Sequence, residues 1–209
     1  MSEHRRRNYT GRFSDLILPV RNLILIGMMG SGKSTVGRRL AAVLGRRFVD
    51  ADHELERRCG VPITTIFELE GEAGFRRREA ALIAELVEPD SLVLATGGGA
   101  VTDPESRRLM HECGHVIFLE ASVADLWQRL RRDRSRPMLA TADPKARLQS
   151  LLEARDPLYR EVAHQRILTG RQPVARTVAE ILRHLPAELR GPAAPDADPV
   201  AGSPLPESS

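Results

Sequence analysis

Residues 27–35 read GMMGSGKST, which fits G-x-x-x-x-G-K-[ST] with Gly27, Gly32, Lys33 and Ser34 at the fixed positions. Glycines at that spacing let the backbone curl so that its N–H groups point at one phosphate. The helix that should start near Lys33 aims its positive end at the same place. The phosphates of a nucleotide would lie against Gly30, Ser31, Gly32, Lys33, Ser34 and Thr35. Lys33 would reach the β- and γ-phosphates, and the Ser34 hydroxyl would ligate Mg²⁺.

Three further groups could supply an acceptor side. FVDAD, residues 48–52, places Asp50 and Asp52 two apart, on one side of an extended chain. Such a pair can hold hydrated Mg²⁺ and orient a hydroxyl. The plainer reading of Asp52 is a helix N-cap, and the two roles can coexist. TGGG at 96–99 puts three glycines where backbone must pass close to a ligand. Arg76, Arg136 and Arg155 offer planar donors for an anionic substrate or a transferring phosphate. The chain holds 29 arginines, so spacing alone does not select these three.

HECGH, residues 111–115, satisfies the zinc-protease pattern H-E-x-x-H. That pattern needs both histidines on one face of a continuing helix. Gly114 stands where a helix should end, and an apolar strand pattern starts at His115. The expectation is a helix terminus; Cys113 could bind adventitious metal but is assigned no role.

Elements that would position these groups follow from the apolar pattern. Short runs at 23–27, 47–52, 92–97, 115–120 and 165–170 read as strands buried on both faces. Val36, Leu40, Val43 and Leu44 share one helix face, as do Val123, Leu126, Trp127 and Leu130. Alternating strands and helices predict a three-layer α/β sandwich with a central five-stranded parallel sheet. Ligands would gather at the carboxyl ends of its strands.

Composition excludes several classes. The 209 residues are 42% hydrophobic and 28% charged, ordinary for a globular domain with tails. No apolar run is long enough to span a membrane. The basic N-terminus lacks the apolar core of a secretory signal. Cys59 and Cys113 imply no disulfide framework, so a cytoplasmic setting is expected. The net charge of +3 comes with interleaved acids and no aromatic-lined basic stripe, which argues against nucleic acid. A flexible extension is expected over 1–20. From 186 onward Pro, Ala and Ser dominate, and a disordered tail is expected over 186–209.

The segments GMMGSGKSTVGRRLA, FVDADHELE, IFELEGEAGFRRREA, ATGGGAV, RRDRSRPML and ARDPLYREVA occur in that order. Together they make the chain resemble the shikimate kinase family over about residues 20–185. The resemblance implies a P-loop NTPase fold like the nucleoside monophosphate kinases, in one kinase domain over 21–185. It implies transfer of the γ-phosphoryl group of ATP to the 3-hydroxyl of shikimate, on the route to aromatic amino acids. Carried over residue by residue, Lys33 and Ser34 handle phosphates and Mg²⁺, and Asp50 holds the metal through water. Asp52 grips the shikimate hydroxyls and takes the proton. Arg76 and Arg155 pair with the carboxylate, and Gly97, Gly98 and Gly99 wrap the acceptor. Arg136 closes over the phosphates from a lid at about 134–144, while helices of about 53–88 build the acceptor site. Arg129 would stack on adenine, with Pro173 flanking it. The lid reads RPML where a second leucine is more usual, a nearly volume-conserving change. A monomer with ATP and shikimate as its only partners is expected. The alternatives are another small-molecule kinase of this fold, for gluconate or a nucleotide, and a nucleotide-binding protein without turnover.

Overall fold

Five strands form a single parallel sheet: β1 (Asn22–Ile26), β2 (Arg47–Asp50), β3 (Leu92–Ala95), β4 (Gly114–Glu120) and β5 (Gln165–Leu168). Their order across the sheet is β2-β3-β1-β4-β5, and every neighbouring pair is parallel. This is the five-stranded parallel α/β sandwich expected from the sequence. The computed structural model describes residues 22–88, 91–131, 133 and 137–190.

The central strands are apolar throughout because both faces are covered. Alternate side chains feed two cores. Leu23, Leu25, Val93, Ile117 and Ile167 pack under α1 (Lys33–Leu44) and α7 (Val174–His184). Ile24, Ile26, Leu94, Val116 and Phe118 pack on the other face. That face is covered by α3 (Ile63–Val87), α4 (Pro104–Cys113), α5 (Val123–Leu130) and α6 (Pro144–Val162). Asn22 is the polar exception at the start of β1. Its amide donates to the Val87 carbonyl at 2.9 Å and accepts from Leu92 N–H at 3.1 Å. Both ends of the buried side chain are therefore satisfied.

Four expected strands overran their ends, the run 23–27 by one residue and three others by two. The runs 47–52, 92–97 and 165–170 stop as strands at Asp50, Ala95 and Leu168. Past those ends Ala51–Asp52, Thr96–Gly97 and Thr169–Gly170 leave the sheet through a cap or a glycine turn. The error matters most at Asp52. It lies in the first turn of α2 (Ala51–Cys59), not in β2. The same-side argument for Asp50 and Asp52 rested on strand periodicity and does not hold.

Helix α3 joins α2 through a tight turn and is broken once. Gly71 sits at φ 67°, ψ −177°, a conformation open to glycine almost alone. The kink sends residues 63–70 along one wall of a cleft and aims Arg76 and Glu79 at its floor. A three-residue 3₁₀ turn, Pro137–Leu139, leads towards α6 with Leu139 buried in the core. Expected lid residues 134–136, Arg136 among them, lie outside the described residues.

The expected tail boundary at 186 is too early. Ala187–Leu189 forms a 3₁₀ turn, with Leu185 and Leu189 buried in the α1–α7 core. Arg46 donates to the Leu189 carbonyl at 2.6 Å, and Arg190 donates to that of Leu185 at 2.9 Å. Leu185 continues the apolar face of α7, and Leu189, four residues on, carries it beyond Pro186. HECGH behaves as expected of a helix terminus: α4 ends at Cys113 and β4 begins at Gly114. His111 then stacks on His164, with ring centroids 4.2 Å apart.

Candidate active site

The phosphate loop connects β1 to α1 at the carboxyl edge of the sheet. Gly27, Gly30 and Gly32 all take positive φ, and Gly32 at φ 99° serves as the left-handed N-cap of α1. A side chain there would be strained, so the motif's glycine is a backbone requirement. Lys33 is buried at the helix start, and its Nζ donates to the carbonyls of Gly27 at 2.8 Å and Met28 at 2.9 Å. The ammonium is thus folded back over the loop where phosphates would sit. Ser31, Gly32, Ser34 and Thr35 line the same cleft.

Arg129 fixes the far side of this cleft. It donates to the Gly30 carbonyl at 2.8 Å and to that of Gly170 at 2.6 Å, bridging the phosphate loop to the turn after β5. Gln172, Val174 and Thr177 line the cleft beside it. Pro173 caps α7 and is exposed, and it is not among the lining residues.

A second cleft of about 350 Å³ opens beside the first. Asp52, Arg76, Gly97, Gly98, Gly99 and Arg155, all expected on the acceptor side, line it together. They come from α2, α3, the loop after β3 and α6. The glycines bring backbone close to the charged side chains of the cleft. A Cβ on Gly97 would stand 2.0 Å from Glu79 Oε1 and 2.9 Å from Asp52 Oδ1. One on Gly99 would stand 2.2 Å from the Arg76 guanidinium carbon. TGGG thus packs against the site's charged side chains, and at Gly98 against backbone, where a Cβ would stand 3.0 Å from the Met29 nitrogen.

Asp50 ends β2 and caps α2. Its Oδ1 accepts from the N–H groups of Asp52 at 3.1 Å and His53 at 3.3 Å. The capping role weighed for Asp52 thus belongs to its neighbour. The Asp50 cap leaves Asp52 in the first helical turn, facing the cleft that Ser34 also borders. Ser34, Asp50 and Asp52 border both clefts, as do Met29 and Gly98.

Two residues escaped the sequence reading. Glu79 is buried, one helical turn after Arg76, and accepts its guanidinium through Oε2. Its Oε1 has no hydrogen-bond partner among the described residues. Burial raises the Glu79 pKa, with Asp52 adding to the rise and Arg76 opposing it. Burial would lower Arg76, yet pairing with Glu79 and Glu72 outweighs it and raises the guanidinium. Among the described residues Arg155 has no such ion pair; burial lowers it, and facing Arg76 adds to that. An i, i+3 Arg–Glu pair in FRRRE was a signal for Glu79. The other missed residue is Tyr159, one turn after Arg155, whose hydroxyl donates to the Gly98 carbonyl. The acceptor cleft is finished by an apolar wall, in which Phe67 and Phe75 meet at a ring separation of 4.8 Å.

The arrangement joins a cleft along the phosphate loop to a smaller one lined by two arginines. The family described as Shikimate kinase matches residues 29–186. The chain belongs to the shikimate kinase family. It is 57% identical over 164 residues to the shikimate kinase of Burkholderia pseudomallei (strain 1710b), covering 78% of this chain and 89% of that protein. Among solved structures it resembles shikimate kinase from Acinetobacter baumannii in complex with shikimate. That match has a TM-score of 0.77 and 47% identity over 79% of this chain and 92% of the other. A gluconokinase from Sinorhizobium meliloti shares the fold at TM-score 0.50, with 21% identity over 78% of this chain and 90% of the other. That likeness shows the fold alone. Family membership and the solved neighbour thus separate a shikimate kinase from the gluconate-kinase alternative, which the fold by itself does not.

Proposed function

We propose that the two clefts bind ATP and shikimate side by side, and that the γ-phosphoryl group crosses where they meet. The activity is that of the family: ATP + shikimate → ADP + shikimate 3-phosphate + H⁺, in aromatic amino acid biosynthesis. The carrying observation is the shared border of Met29, Ser34, Asp50, Asp52 and Gly98. A phosphate on the loop and a hydroxyl on Asp52 then need no large movement to meet.

Roles follow from placement. Lys33 exchanges its loop carbonyls for phosphate oxygens. Arg76 and Arg155 take the shikimate carboxylate, as bidentate donors suit. Asp52 orients the 3-hydroxyl and accepts its proton. The family resemblance, and not placement, gives Arg136 to the phosphates, and Arg129 faces the base. The Ser34 hydroxyl and the Asp50 carboxylate are hard oxygen donors lining the same two clefts, a set that suits Mg²⁺ held partly through water. The metal would neutralise charge developing on the phosphates. Phosphoryl transfer asks little covalent chemistry of the protein, so catalysis here is positioning and charge stabilisation.

The enzyme works as a cytoplasmic monomer on two small molecules, without nucleic acid or membrane. No helix among the described residues is long and apolar enough to cross a membrane. A coupled assay of ADP release tests the proposal. Turnover should depend on shikimate, with gluconate and nucleoside monophosphates giving none. Equal turnover with those acceptors, or none with shikimate, would overturn it.

A further inference from the structure

Tyr159 is fully buried on α6, and its ring stacks on Phe118 of β4 with centroids 4.9 Å apart. A phenylalanine would serve that packing as well. The hydroxyl is a cost in a core unless it is bonded. It donates to the Gly98 carbonyl and lies 3.5 Å from Met28 Sδ of the phosphate loop. Burial raises its pKa, so it stays a donor at neutral pH. Arg155, one turn earlier, donates to the same carbonyl at 3.3 Å.

That carbonyl belongs to a peptide unit between the two clefts. A Cβ on Gly98 would stand 3.0 Å from the Met29 backbone nitrogen, so the unit lies directly on the phosphate loop. Gly99, which supplies its N–H, lines the acceptor cleft beside Arg76. The described chain has no cis peptide. In a planar trans unit the C=O and N–H point in opposite directions. With the Gly98 carbonyl held towards α6, the Gly99 N–H is turned away from that helix. Glycine at both positions leaves the unit otherwise free to rotate.

We propose that Tyr159 is a positioning residue for the acceptor: its hydroxyl locks the Gly98–Gly99 peptide so that the Gly99 N–H is presented to bound shikimate. Arg155 and Tyr159 then act from one helix face. The first meets the acceptor and the second sets the backbone donor beside it. The inference rests on shikimate occupying this cleft.

Tyr159→Phe tests it, since the ring and its stacking remain. Loss of one neutral hydrogen bond of net value predicts a rise of about three- to tenfold in KM for shikimate. KM for ATP should stay within about twofold, because thioether sulfur is only a weak acceptor. Arg76→Ala serves as the control for the cleft itself. If Arg76→Ala raises KM for shikimate and Tyr159→Phe does not, Tyr159 is a packing residue and the proposal falls, whatever its melting temperature. Equal rises in both KM values for Tyr159→Phe overturn it too. If neither variant changes KM for shikimate, the acceptor does not bind here and the reading beneath the proposal fails first.

Discussion

The nucleotide cleft and the acceptor cleft touch, yet they are built from different materials. The nucleotide cleft is made mainly of backbone: three glycines at positive φ, a helix start and one lysine, all within nine consecutive residues. The acceptor cleft is made mainly of side chains drawn from four elements, with Arg76, Glu79 and Arg155 taken largely out of water. A backbone site depends on local conformation and offers the same surface to any triphosphate. A side-chain site depends on the fold and can be shaped to one anion. The first should fail through geometry, the second through charge and affinity.

Lys33 gives the largest expected effect. Lys33→Arg keeps the charge but puts a broad, planar group where a compact ammonium fits. Turnover should fall by about 10³-fold, the upper size for losing one preorganised charge contact. It should fall nearly as far as in Lys33→Ala. An arginine variant with near-normal kcat would show that charge alone matters there.

On the acceptor side the damage should appear as affinity. Arg155→Ala should raise KM for shikimate by about 10- to 150-fold, the loss of one charge-assisted pair. KM for ATP should move far less. Equal changes in both constants would erase the distinction between the clefts.

The same contrast explains what the sequence made legible. The phosphate loop could be read outright, because its requirements are local and contiguous. The five strands were found from apolar runs, but three ends were misplaced by two residues. An apolar run does not record where the last ladder bond lies. At Asp52 that slip changed the argument, since the residue reaches the cleft from a helix that Asp50 caps. Of 29 arginines, spacing singled out none; the fold brings Arg76 and Arg155 into the acceptor cleft. Only the family resemblance had marked them. Glu79 and Tyr159 went unread because their roles exist only once α3, α6 and the TGGG loop are packed together. Leu189 was missed because Pro186 interrupts the pattern of α7.

Changes far from both clefts should leave the comparison intact. Ending the chain at Leu185 removes the buried Leu189 and the carbonyl that Arg46 holds. Burial of one leucine is worth about 2 kcal/mol, so the melting temperature should drop by about 4–8 °C. Ending it at Arg190 should change the melting temperature by less than about 2 °C, since composition gives the rest little apolar surface to bury. A large drop for the second truncation would show that the remaining tail docks.

The smallest effect concerns acid. Burial, then the neighbouring His111 and His115, lowers His164 from 6.5 to about 4. A histidine lowered by folding adds stability above its unfolded pKa and loses it as pH falls through the folded one. The melting temperature should therefore decline as pH falls from 6.5 towards 4, and His164→Gln should flatten that decline. The ratio of the two KM values should not follow it. An unchanged slope in the variant would assign the acid loss elsewhere.

Asp50 and Asp52 stand at the border of the two clefts and are given to different sides. The direct measurement is kcat of Asp50→Asn and Asp52→Asn across a Mg²⁺ titration, with shikimate affinity measured separately. Asp52→Asn should still bind shikimate but lose about 10²-fold or more in kcat, the size of a positioned base, and added Mg²⁺ should not restore it. Asp50→Asn should recover part of its loss as Mg²⁺ rises. Rescue of Asp52→Asn with none for Asp50→Asn would reverse the assignment, and changes of only a few-fold in both would contradict a catalytic border at these residues.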